Sequence, residues 1–294
     1  MISAKLVKEL RDLTGAGMMD CKKALEATEG DIQASVDWLR EKGISNAQKK
    51  SGRIATEGTT KVTVKGNRGI VIEVNSETDF VAKNDQFVEL VDTLSNVLLE
   101  ANPADLDAAL AVDVNGQTVS DLVVAATATI GEKITLRRFA IVEKSDDEVF
   151  GEYMHMGGKI SALAVLKNAD DELAKDMAMQ IASMSPQYVS QAEIPSEIID
   201  HETNIQVEIV KNDESLSNKP EQVVAGIIKG RVSKSMQDIS LVDQIFFKDG
   251  KAKVSQVLKS ANANVESFIR YAVGEGIEKR EEDFAAEVAK AAQV

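Results

Sequence analysis

Apolar residues recur along this chain in two rhythms. Near the start they fall at Leu6, Val7, Leu10 and Leu13, one face of a helix that Ser3 is placed to cap. Thr14-Gly15-Ala16-Gly17 interrupts that face. A second helical stretch then runs to about Thr28, with Ala24 and Leu25 apolar, and Gly30 ends it. Asp31 caps a third, in which Ile32, Val36 and Leu39 share a side with Trp38 near it. Together these predict a three-helix bundle over residues 1–50. Residues 44–58 are small and polar, which predicts a flexible connection, with 51–58 as the linker proper, that lets the bundle swing.

Beyond it the rhythm shortens to the β-branched runs of strands. Residues 59–143 read strand, strand, helix, helix, strand, with strands near 60–64, 69–74 and 134–142 and helices near 85–100 and 119–130. Residues 144–275 repeat that order, with strands near 149–154, 160–166 and 267–273 and a helix at 171–184. The closing strands match in sequence, Arg138-Phe139-Ala140-Ile141-Val142-Glu143 against Arg270-Tyr271-Ala272-Val273-Gly274-Glu275. The fold class expected is therefore α+β, built from two related halves, each a three-stranded antiparallel sheet with helices on one side. The second half carries an insertion at about 196–235. Ile198, Ile205 and Ile209 give one helical face, Asn212 to Asn218 a polar turn, and Pro220 the start of a return helix. A hairpin reaching outward and a pair of ordinary core helices fit this pattern equally well. The tail, 276–294, predicts one amphipathic helix with Ile277, Phe284, Val288 and Ala291 apolar.

One stretch is built unlike its surroundings. Between the strand at 69–74 and the helix from 85 lies Ser76-Glu77-Thr78-Asp79-Phe80-Val81-Ala82-Lys83-Asn84, with a single large apolar side chain beside a carboxylate. One reading is structural: Thr78 or Asp79 caps the helix and Phe80 enters the core. The other is an exposed wedge offered to a partner. The corresponding place in the second half, Asn168-Ala169-Asp170-Asp171, has no aromatic. A fold requirement would place one in both halves, so the asymmetry favours function for Phe80.

Composition narrows the classes of activity. The formal charge is −14, and no run of Lys or Arg makes a basic patch, which argues against a nucleic-acid partner. A lone cysteine, Cys21, excludes an internal disulfide, fits a reducing cytoplasm, and reads as a small buried side chain. No long apolar run suggests a membrane span. There is no phosphate-binding GxxxxGK[ST] loop and no Cys/His spacing for a metal, so no cofactor, no metal and no covalent catalysis are expected. Glu77 and Asp79 could serve as an acid/base pair on one side of an extended strand, but no second catalytic cluster accompanies them. Met18 and Met19, beside a glycine loop in a bundle too small to bury both easily, fit either core filler or an adaptable contact patch.

Three separated blocks resemble the elongation factor Ts family, whose members act as guanine nucleotide exchange factors for the translational GTPase elongation factor Tu. They are Leu6 to Arg11 with Thr14 to Leu25, Thr78 to Lys83, and Gly274 to Lys279 with Asp283 to Val288. Their order spans the whole chain. Many family members have Cys at the position of Ser76 and Gly at that of Ser161, small-for-small differences outside the wedge.

The resemblance implies a ubiquitin-associated-like fold for the bundle, which docks on the GTPase's nucleotide-binding domain. By position it makes Lys8, Arg11, Met18 and Met19 contact residues, and Thr78, Asp79, Phe80 and Val81 the wedge that dislodges magnesium. The Tyr-x-His-x-Gly-Gly pattern carries over His155 as a contact near the phosphate loop, and the C-terminal module carries over Ile277 and Phe284. In some members the hairpin supports self-association or partner contact, and a homo-oligomer within a complex stays open. An adaptor that uses only the bundle to bind ubiquitin-like domains would leave the second and third blocks without a purpose.

Overall fold

The computed structural model describes residues 2–14, 16–216 and 219–278. The first helices are α1 (Ala4–Thr14), α2 (Met18–Ala27) and α3 (Ile32–Lys50). The first half of the core follows as β1 (Glu57–Lys65), β2 (Arg68–Ser76), α4 (Asp85–Ala101), α5 (Leu106–Leu110), a small hairpin of β3 (Asp113–Val114) and β4 (Gln117–Thr118), α6 (Val119–Ile130) and β5 (Thr135–Glu143). The second is β6 (Glu148–His155), β7 (Ile160–Lys167), α7 (Asp171–Met184), α8 (Ser196–Lys211), α9 (Glu221–Asp238), α10 (Val254–Ala261) and β8 (Asn264–Ala272). The segments α5 to β4 go unread in the sequence because they are too short to carry a period.

Both larger sheets are antiparallel with the chain's second strand in the centre, ordered β1-β2-β5 and β6-β7-β8. Period-two alternation sends the two faces of each central strand to different cores. Ile70, Ile72 and Val74 of β2 pack with Phe87, Val91, Leu94 and Leu98 of α4 and with Val119 of α6. Ala162, Ala164 and Leu166 of β7 pack with Met177, Ala178 and Ile181 of α7. The intervening residues Val71 and Leu163 meet each other, with Val62, Phe150, Ile269 and Tyr271 around them. The sheets thus lie face to face with helices outside both. Gly69 permits the approach, since a Cβ there would come within 2.7 Å of a Leu163 methyl carbon.

This inter-sheet core is small, and a polar seam supplements it. Glu73 of β2 is fully buried. Its carboxylate accepts from Arg137 Nη1 at 2.9 Å, Arg138 Nε at 2.6 Å, the Gly274 amide at 2.8 Å and Asn75 Nδ2 at 3.1 Å. The Gly274 amide belongs to the turn after β8, so one side chain of the first half holds the end of the second. Burial pushes the Glu73 carboxyl up, but the Gly274 amide, Arg137, Asn75 and Arg138 outweigh it and hold it below the usual range. Thr60 Oγ1 donates to the Gly158 carbonyl at 2.8 Å in the same seam.

Three sequence expectations change. The supposed linker is helical to Lys50, because nothing between 44 and 50 breaks the helix and α3 has a surface to dock on. Arg40 pairs with Asp121 of α6 at 3.2 Å, Lys50 Nζ reaches the Thr127 carbonyl at 3.5 Å, and a Cβ at Gly43 would lie 3.0 Å from that of Ala128. These contacts hold the bundle against the first half, so it does not swing on a loose tether at residue 44.

The repeat is real in topology but its closing strands align differently. Each central strand carries one irregularity, between Glu73 and Val74 and between Val165 and Leu166. Superposing these makes Phe268, not Tyr271, the counterpart of Phe139. Similar residue types misled the sequence alignment, whereas the pairing register fixes the equivalence. The single apolar face expected on α8 is divided: Ile205 and Ile209 are exposed, whereas Ile198 and Ile199 near the base pack with Ile228 and Val232 of α9, and Val210 is the buried residue toward the tip.

Candidate functional site

At the end of β2 the chain leaves the sheet at Ser76, whose hydroxyl donates to the Thr78 carbonyl at 2.9 Å. Val81–Lys83 form a single 3-10 turn, and Asn84 caps α4 by accepting from the amides of Gln86 and Phe87 at 2.9 and 3.4 Å. The cap is therefore Asn84, not Thr78 or Asp79. Phe87 fills the core position and is fully buried, while Phe80 is 81% exposed. Val81 packs at the edge of the first helical core. This excludes the structural reading of Phe80, because an aromatic ring that exposed stabilises nothing within its own chain.

Two carboxylates exchange places to hold this junction. Glu132, just after the left-handed Gly131 that ends α6, accepts from the Thr78 amide at 2.9 Å, the Glu77 amide at 3.1 Å and the Thr78 hydroxyl at 2.7 Å. In return, Glu77 accepts from the Lys133 amide at 2.6 Å and from Arg53 Nη1 at 3.2 Å. Lys133 Nζ closes the ring on the Arg53 carbonyl at 2.8 Å. Sequence reading missed Glu132, Lys133 and Arg53. Their only local signal is an acidic residue after a helix-ending glycine, which is too common to single out.

Asp79 has a different neighbour. Its carboxylate pairs with Lys83 Nζ at 2.9 Å, and that ammonium, with Lys159 farther off, holds the acid below the usual carboxylate range. Glu77 and Asp79 are thus separately engaged and do not form a shared acid/base pair.

The second half shows what the fold alone requires at such a junction. There the chain passes from Lys167 through Asn168 and Ala169 directly to Asp170, which caps α7 by accepting from the Leu173 amide at 2.8 Å. The strand and cap are separated by Glu77 to Lys83 in the first half and by only Asn168 and Ala169 in the second, so most of the aromatic-bearing stretch is extra chain present in one half only.

The structure brings the turn after β6 to the same end of the molecule. Glu57 opens β1 opposite Ser76, and pairs with Lys159 of that turn at 2.6 Å. The Thr60 amide donates to the Gly158 carbonyl at 2.7 Å. His155 is half-buried and its Nδ1 lies 3.1 Å from the Tyr153 hydroxyl, with Met154 and Met156 exposed beside it. His155 and Phe80 therefore flank one edge of the paired sheets, though they are far apart in sequence.

The remaining predicted residues lie elsewhere. Lys8 and Arg11 are exposed on α1. Met18 and Met19 are 57% and 63% exposed at the start of α2, which resolves them as surface rather than core, and Leu13, expected on the buried stripe, is exposed at the same turn. Helix α1 ends one residue later and the chain folds back, leaving that side uncovered. Cys21 is buried, and desolvation raises its thiol above the ordinary value. Ile277 is half-buried just past the Glu73 seam. Phe284 and most of the expected C-terminal helix lie outside the described residues. Among the described residues no helix is long and apolar enough to cross a membrane.

Comparison with known proteins places this chain in a family. The family model described as Elongation factor TS matches residues 77–275. An elongation factor Ts of Acholeplasma laidlawii (strain PG-8A) is 54% identical over 288 residues, covering 98% of this chain and 97% of that one. One from Lacticaseibacillus casei (strain BL23) is 50% identical over the same share of both chains.

Proposed function

This chain belongs to the elongation factor Ts family of translation elongation factors, and from that premise we propose that it is a guanine nucleotide exchange factor for elongation factor Tu. It makes and breaks no covalent bond. It binds the nucleotide-free GTPase more tightly than the GDP-bound form, so linkage requires that it weaken GDP binding by the same factor. The observation that carries this reading is the exposed Phe80 on a junction that the other half of the fold does without.

Thr78, Asp79, Phe80 and Val81 form the element that enters the GTPase. The ring acts as a wedge beside the magnesium site, and the Asp79 charge disfavours nearby phosphate. Loss of the ion removes the charge that clamps the β-phosphate of GDP. His155, on the same edge, presses on the phosphate loop. Lys8, Arg11, Met18 and Met19 on residues 1–50, and Ile277 with Phe284 on 276–294, supply binding area around these two points. The two core halves, 59–143 and 144–275, act as the rigid base, and 51–58 joins the bundle to it. The partner is a protein rather than a nucleic acid or a membrane, and the setting is the cytoplasm.

The test is release of fluorescent GDP from elongation factor Tu with the intact chain and with Phe80→Ala. The intact chain accelerates release, and the variant loses most of that effect while still binding the GTPase. Because Phe80 is so exposed, the substitution changes stability by no more than about 0.5 kcal/mol. Release at the spontaneous rate with the intact chain refutes the function. Equal acceleration by both chains moves the wedge to other residues.

A further inference from the structure

Resting on the exchange-factor reading, we propose that Glu132 is a positioning residue for the wedge: it fixes the backbone beneath Phe80 so that the ring is held ready before any partner arrives. An exposed ring has no packing to orient it, so its placement must come from the chain that carries it. That chain has just left the sheet, since the pairing of β1 with β2 ends at Glu57 and Ser76. The next two amides, Glu77 and Thr78, have no strand to donate to. Successive free amides in a turn form an anion-binding concavity, and the Glu132 carboxylate fills it from the α6–β5 turn. The Thr78 hydroxyl, donating to the other carboxylate oxygen at 2.7 Å, locks the side chain as well as the backbone.

The reverse contact, from the Lys133 amide to Glu77, makes the arrangement reciprocal, so neither turn shifts without breaking both sets of bonds. Arg53 extends the lock to the chain leaving α3. Among the described residues the second half shows no comparable carboxylate bracket, because its junction passes straight into the helix cap. Glu132 thus accompanies the inserted stretch, not the repeated fold.

A residue that orients the wedge acts on the exchange step and leaves the rest of the binding surface intact. Glu132→Ala should lower the maximal stimulated rate of GDP release by roughly tenfold to a hundredfold, the scale of a small misplacement at a reacting centre. The concentration of factor giving half-maximal stimulation should move by less than about threefold, because the other contact surfaces remain. Glu132→Gln should restore the rate to within about threefold of the native chain. Its carbonyl still accepts from the two amides, and its NH2 donates to a rotated Thr78 hydroxyl.

A second readout needs no GTPase. In a chain carrying Trp38→Phe and Phe80→Trp, fluorescence anisotropy decay of the introduced indole should show wider local motion when Glu132→Ala is added, and not when Glu132→Gln is added. If the Ala chain fails to fold by circular dichroism, Glu132→Asp decides the matter: its carboxylate, one methylene shorter, cannot meet both amides and the Thr78 hydroxyl together, and it should reproduce the split at about tenfold. A native maximal rate in the Ala chain, or a loss confined to half-saturation, overturns the positioning role. If the unmodified chain leaves release at its spontaneous rate, the exchange-factor reading fails by itself, and the anisotropy experiment still decides whether Glu132 orders the loop.

Discussion

Glu73→Gln tests whether the two halves are held by the buried carboxylate or merely rest on each other. The substitution keeps size and one carbonyl acceptor but removes the charge. In the native seam, four donors converge on Glu73: Arg137, Arg138, the Gly274 amide and Asn75. Only one glutamine oxygen remains to serve them, and the new NH2 faces donors. Breaking one side of a buried ion pair costs about 3–5 kcal/mol. Arg137 and Arg138 keep partial access to water and to Glu275, which places the Gln variant near the lower end, about 3 kcal/mol.

Urea unfolding at neutral pH should therefore show a lower midpoint with an unchanged slope. Hydrogen exchange should show reduced protection of the Gly274 amide, whose acceptor is the residue changed. The pH dependence follows from the sign of the shift. The folded-state pKa of Glu73 lies below its ordinary value of 4.5. Its contribution is then fully present above that value and is lost as pH falls through the lower, folded-state pKa. The stability gap between native and Gln chains should be constant from neutral pH to about one unit above 4.5 and close in stronger acid. A gap below about 0.5 kcal/mol at neutral pH, or unchanged Gly274 protection, would refute the reasoning.

Two further outcomes are expected from the edge and the turns. Gly158 has φ +93°, and a Cβ there would sit 2.1 Å from Thr59 Oγ1 and 2.7 Å from the Thr60 carbonyl oxygen, whereas Gly157 has open space around it. Gly158→Ala should therefore lower the melting temperature by several degrees, about 1–3 kcal/mol of strain plus weakened seam bonds, and clearly more than Gly157→Ala does. Asp147, held by the Ser145 hydroxyl and Lys167, has its pKa lowered to about 2, so its carboxyl should titrate there by NMR and move back toward 3.8 in Lys167→Gln. An unchanged titration in that variant would remove Lys167 from the account.

Much of the architecture was legible before the structure because it depends on local rules. Strand and helix periods placed the elements of both halves, since burial of one face leaves its rhythm in the residues. The asymmetry at Phe80 was legible for the same reason: comparison of two repeats removes what the fold needs. The reading failed wherever two distant segments had to meet. Whether residues 44–50 continued a helix depended on α6 being there to receive them. Which residue of β8 matched Phe139 depended on where a bulge fell in the pairing with β7.

The site divides in the same way. The residues themselves singled out only Phe80, through the asymmetry between the two halves, while His155 and the rest of the proposed wedge came from the family resemblance. The sequence could not supply Glu132, Arg53 or Glu73. Each is an ordinary charged residue, and its role exists only because the tertiary structure sets free amides or guanidinium groups against it. Hydrophobic pattern is written along the chain, residue by residue. A hydrogen-bonded carboxylate acquires its meaning from donors that the fold brings to it.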